Sequence, residues 1–81
     1  MRIVKLFTKQ KCPNCPKVKR VVEEYIKKNK DVGLELYDVG EVEGLAESAY
    51  YDIFSTPTVL VLKDNKEVSR FTGVIREENL K

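Results

Sequence analysis

Four residues, Cys12-Pro13-Asn14-Cys15, constrain the fold of this chain most, because of what stands on either side of them. Before them, residues 2–7 (RIVKLF) form a dense apolar run with β-branched members, the pattern of a buried strand. After them, Val18, Val21, Val22, Tyr25 and Ile26 fall at i, i+3, i+4, i+7 and i+8. That is one apolar stripe of a helix, with Lys17, Lys19, Arg20, Glu23, Glu24, Lys27 and Lys28 on its other faces. Turn residues at 29–33 (NKDVG) end it. The two cysteines therefore sit on a strand-to-helix junction, and this spacing places Cys12 at the helix N-terminus.

The rest of the chain extends the pattern. Residues 34–39 (LELYDV) read as a second strand, and Val42, Leu45, Ala46 and Ala49 as the buried stripe of a second helix ending near Tyr51. Residues 58–63 (TVLVLK) are apolar on both faces, as in a central strand. Residues 64–66 (DNK) read as a hairpin turn, 67–72 (EVSRFT) as a strand covered on one face, and the tail after Gly73 as a short helix. The order is β-α-β-α-β-β-α. Its βαβ start requires a right-handed crossover with parallel pairing, and its last two strands an antiparallel hairpin. The expected class is α/β, a four-stranded mixed sheet flanked by helices, in one domain over residues 1–81.

At a helix N-terminus, unpaired backbone N–H groups and the helix dipole stabilise an anion. The thiolate is the reactive form of cysteine, so Cys12 is expected to attack and Cys15, one turn on, to resolve. Pro13 suits an early helical position, whereas Pro16 is expected to cost a helical hydrogen bond and distort the first turn. Two other uses of the pair are weaker. A disulfide closing so short a loop constrains the unfolded chain little. Tetrahedral zinc needs four ligands, and the chain offers two cysteines and no histidine, so no metal is expected.

Charge is distributed unevenly behind a net of +2. Residues 1–30 carry ten Lys or Arg against two Glu, and residues 31–62 carry seven acids and no base. Lys9, Lys11 and Lys17 favour the thiolate and draw acidic partners. The basic residues lack interleaved aromatics, which argues against nucleic acid. The longest apolar run, residues 59–62 (VLVL), is far too short for a membrane span. The opening MRIVKLF has no signal-peptide pattern, so the expected compartment is the cytoplasm.

With residues 55–58 (STPT) added to the strand–CxxC–helix unit, nearly the whole chain resembles the thioredoxin/glutaredoxin superfamily. Residues 6–15 (LFTKQKCPNC) are similar to glutaredoxins, and residues 51–74 (YDIFSTPTVLVLKDNKEVSRFTGV) to thioredoxins. Small glutaredoxin-like thioredoxins of archaea and anaerobic bacteria combine such halves. The resemblance implies a thioredoxin fold and thiol–disulfide oxidoreductase activity, with Cys12 and Cys15 catalytic. It implies a cis Pro57 beside the active site and substrate contacts from Pro13, Thr56, Pro57, Gly73 and Val74. The implied partners are disulfide-containing client proteins and a thioredoxin-reductase-like flavoprotein, with the Cys12–Cys15 disulfide as the only redox group and a monomeric state.

The departures are specific. Leu6 stands where thioredoxins carry a buried Asp, and tryptophan is absent. Lys9 matches the glutaredoxin lysine, but Thr56-Pro57 and Gly73-Val74 replace the glutathione-holding Val-Pro and Gly-Gly-x-Asp. A glutathione-dependent glutaredoxin is therefore the alternative enzyme, and a non-catalytic binding module with a basic docking face the alternative of another kind.

Overall fold

The computed structural model describes residues 1–80. The elements run β1 (Arg2–Thr8), α1 (Cys15–Lys28), β2 (Val32–Asp38), α2 (Val42–Tyr50), β3 (Thr58–Lys63), β4 (Lys66–Thr72) and a final 3-10 turn, Glu77–Leu80. The sheet order is β2-β1-β3-β4. β1 pairs parallel with β2 (Val4 opposite Leu34) and antiparallel with β3 (Leu6 opposite Val59). β3 and β4 form the expected hairpin, turning at Asp64 and Asn65 with φ of 52° and 68°. Both residues take the left-handed conformation that a two-residue type I′ turn demands.

Successive strand side chains alternate between faces, and β1 sends them to two different layers. Val4 and Leu6 pack with Val18, Val22 and Tyr25 of α1, joined by Val59, Val61, Ile75 and Leu80. Full burial of each such side chain stabilises the fold by about 1.5–3 kcal/mol. On the opposite face Phe7, Leu60 and Leu62 meet Tyr37, Val39, Tyr51 and Ile53, with Phe7 and Tyr37 stacked at 5.3 Å.

Lys5 shares that second face and is 9% exposed. Its Nζ lies 3.4 Å from Glu47, 3.5 Å from Glu35 and 3.3 Å from the Tyr51 hydroxyl, and 4.8 Å from the Tyr51 ring centroid. The Tyr37 hydroxyl lies 2.6 Å from Glu35 and 3.1 Å from Glu47. A cation taken out of water needs such partners, and this requirement decides how α2 sits. The helix turns Gly44, Glu47 and Ser48 to the sheet, and the expected stripe of Val42, Leu45, Ala46 and Ala49 faces solvent instead.

Burial alone would lower the Lys5 pKa, but the Tyr51 hydrogen bond and the charges of Glu47 and Glu35 outweigh it and the net shift is upward. Burial, then the hydrogen bonds to Glu35 and Glu47, push the Tyr37 hydroxyl well above its ordinary 10.0. Both groups keep their protons at a pH where the unfolded chain has released them. Their contribution is therefore complete below the unfolded values, near 10, and is lost as pH rises through the folded ones. Urea midpoints should hold steady from about pH 7 to 9 and fall above about 10. The alkaline fall should be shallower in Tyr37→Phe, and an equally steep fall would place the linkage elsewhere.

Three smaller expectations change. β2 runs from Val32 to Asp38, earlier than the sequence pattern suggests. In β4 the register slips between Val61 and Leu62, whose partners are Ser69 and Glu67. Val68 is the extra residue of that bulge and stands exposed, so the strand is less covered than its pattern implies. The tail is a 3-10 turn anchored by buried Leu80 and by a Lys28–Glu77 ion pair at 3.2 Å.

Candidate functional site

α1 begins at Cys15, not at Cys12. Asn14 is its N-cap residue, with no side-chain capping bond, and the Val18 N–H donates to the Asn14 carbonyl at 3.1 Å. Pro13 thus lies in the turn before the helix. Pro16 takes the second helical position, where its missing N–H is one of the groups a helix leaves unpaired anyway. The expected cost of Pro16 disappears for that reason. Lys11 carries the strain of the turn, with φ of 61°, a left-handed conformation that side chains with a Cβ take up rarely.

Cys12 and Cys15 are joined as a disulfide, with Cα atoms 5.4 Å apart. Their settings differ. Cys15, first in the helix, is 5% exposed, while Cys12 in the turn is half-buried and reachable. A cavity of about 330 Å³ opens beside the pair, lined by Thr8, Lys9, Lys11, Cys12, Cys15, Pro16 and Lys19. Two of the three expected lysines line it. Lys17 does not, because two residues past Cys15 is the far side of a helix. Lys19, four past Cys15, shares its face. The i+4 spacing was there to find Lys19.

The other segments arrive through sheet register. Phe7 lies opposite Thr58, and Thr58 opposite Thr72, so the cysteine loop, Pro57 and Gly73 all emerge at one end of the sheet. The Thr56–Pro57 peptide is cis, as the resemblance implies, and Pro57 is buried. Gly73 has φ of 89°, and its N–H donates to the Pro57 carbonyl at 2.9 Å. This bond ties together two segments that the resemblance assigns to substrate contact. Thr56 is half-buried and Val74 exposed beside them, as is Pro13 in its turn. Leu6 lies wholly within the α1-side core, and the charged neighbour on its strand, Lys5, points to the opposite face.

A site of this kind can exchange disulfides. An accessible sulfur in a lysine-lined cavity meets a foreign disulfide, and a second sulfur lies within bonding distance to displace it. A family model described as "Thioredoxin domain" matches residues 2–81. A thioredoxin of Methanocaldococcus jannaschii is 34% identical over 61 residues, 75% of this chain and 71% of that protein. A probable thioredoxin of Archaeoglobus fulgidus is also 34% identical over 61 residues, covering 75% of this chain and 66% of its own length. Among solved structures, Fasciola hepatica thioredoxin superposes with a TM-score of 0.83 at 34% identity, over 98% of this chain and 73% of that one.

Proposed function

Because the chain belongs to the thioredoxin domain family, it is a thiol–disulfide oxidoreductase, and we propose that it reduces disulfides of client proteins through Cys12 and Cys15. The observation that carries the reading is the asymmetry of the pair: Cys12 faces a basic cavity and Cys15 is buried at the head of α1.

In the reduced protein the Cys12 thiolate attacks one sulfur of the client disulfide. A Cys12–client bond forms, the client S–S bond breaks, and one client thiolate leaves. Cys15 gives up its proton and attacks Cys12. The mixed disulfide breaks, the second client thiol leaves, and Cys12–Cys15 closes. Two electrons pass to the client. Lys9, Lys11 and Lys19 raise the positive potential where the Cys12 thiolate and an acidic client segment come together.

Pro57 and Gly73, bonded to each other, are the edge along which a client strand is held, with Thr56 and Val74 beside them. The pair itself is the redox group. Two cysteines without histidine fall short of a resident zinc site. A thioredoxin-reductase-like flavoprotein resets the disulfide of a monomeric, cytoplasmic carrier. Glutathione coupling lacks the Gly-Gly-x-Asp that would hold its ligand.

Insulin-disulfide reduction driven by dithiothreitol, run beside a glutathione-coupled assay, tests this reading. Strong insulin reduction with little glutathione turnover is expected. A disulfide peptide flanked by Glu should also react about tenfold faster than its Lys-flanked analogue at low salt, the gap closing toward 1 M. Strong glutathione turnover with weak insulin reduction would favour the glutaredoxin alternative.

A further inference from the structure

α2 is amphipathic in the reverse sense for a helix that covers a sheet. Its sheet side is Gly44, Glu47 and Ser48. Its outer side carries Val42 (86% exposed), Leu45 (60%), Ala46, Ala49 and Tyr50 (78%), and Phe54 just beyond is 92% exposed. Aliphatic and aromatic side chains gathered on one exposed face mark a surface that another molecule covers. The face is also shaped. A cavity of about 190 Å³ lies at its edge, with Val39, Leu45, Ile53 and Phe54 among its walls and Lys9 at its rim.

The exposed charge along the helix itself is acidic. Glu41, Glu43 and Asp52 are exposed along the face. The bases near it are occupied or marginal. Lys5 is buried between Glu35 and Glu47. Arg70 is held by Glu67 at 2.9 Å and by the carbonyls of Tyr51 (2.6 Å) and Asp52 (3.2 Å). Among the described residues, Lys9, on the cysteine side, is the base that lines the cavity.

We propose that this face docks a basic amphipathic helix of a partner protein, which sets an apolar side chain into the cavity and Lys or Arg against the acidic rim. A second copy of the chain fits less well. Two such faces repel each other, and the basic α1 has its Val18, Val22 and Tyr25 buried under its own sheet, so it offers lysines without an anchor. Anionic lipid meets the same repulsion. Phe54 stands two residues before Thr56, so the docked helix lies next to the client-binding edge. The basic cavity on the other side of Lys9 asks for acid, and these opposite demands orient a partner whose disulfide is flanked by acidic residues. That delivering role rests on the disulfide-exchange reading; the binding does not.

The test uses the Cys12→Ser, Cys15→Ser chain, which cannot exchange disulfides, and fluorescence anisotropy with labelled helical peptides. A peptide with Leu on one face and Lys on the other should bind. A Glu-for-Lys peptide, a Gln-for-Leu peptide, and the Val42→Ser, Leu45→Ser variant should each weaken binding by about tenfold or more. The same two substitutions in the cysteine-intact chain should leave reduction of a small uncharged disulfide and the thermal midpoint unchanged, since both side chains are exposed. Equal binding of the acidic and basic peptides, or binding indifferent to the substitutions, would overturn the proposal. So would binding to anionic vesicles, or a dimer that Leu45→Ser dissolves.

Discussion

Replacing Cys15 with Ser should convert the protein from a catalyst into a trap. Cys12 still attacks a client disulfide, but no second thiol is in place to displace it, so the mixed disulfide accumulates and turnover falls to background. The expected loss is more than about a thousandfold, the scale seen when one member of a chemical unit is removed. Cys12→Ser should lose turnover as fully and trap nothing, because Cys15 is 5% exposed and a folded client cannot reach it. Non-reducing electrophoresis of each variant with reduced-and-reoxidised insulin separates the two outcomes. A client adduct on Cys12→Ser would reverse the assigned roles.

The second large effect concerns stability. Gly44→Ala should strongly destabilise the fold, although Ala is ordinarily the better helix former by about 0.8–1 kcal/mol. At Gly44 the first turn of α2 lies directly on the end of β2. A Cβ there would fall inside the van der Waals envelope of the Asp38 carbonyl and 2.9 Å from the Asp38 nitrogen. Those are backbone atoms held in the sheet, so the helix must move, and Glu47 and Ser48 move with it. Overpacking of this kind costs about 1–3 kcal/mol. Losing the Lys5 partners adds to that, and a core of this size supplies on the order of 3–5 kcal/mol in general. The urea midpoint should drop sharply or the transition broaden; a raised midpoint would mean that helix propensity wins.

The elements differ in how far the sequence makes them transparent. β1, the cysteine pair and α1 follow from periodicity, because Val18, Val22 and Tyr25 have one face on which to be buried. β3 follows from its continuous apolar run. α2 misleads, because its apolar residues point outward. The signal that could have corrected this is Lys5, a charge inside a strand read only as apolar. A buried cation must find acids, and Glu47 is the acid on the opposite side of α2 from Leu45. Gly44, in the middle of a helical pattern, is a second signal, since such a glycine often marks a close approach of backbones. At the site, both cysteines and Pro57 are legible from spacing and resemblance. The helix start at Cys15 is not, because either proline fits the first turn and only the backbone path selects Pro16.

β1 has a consequence for the way the chain is made. It occupies the middle of the sheet, yet its partner β3 is synthesised long after it, with Arg2 lying opposite Lys63. At about 5–20 residues per second, the ribosome takes roughly 3–12 s to supply that partner. For that interval β1 presents at least one open hydrogen-bonding edge, and both until β2 is made, with the apolar surface of Val4, Leu6 and Phe7, the features that seed pairing between chains. Lys5 interrupts the run at its centre. The charge that sets the seat of α2 in the finished protein is also of the kind that disfavours pairing between copies of an exposed strand.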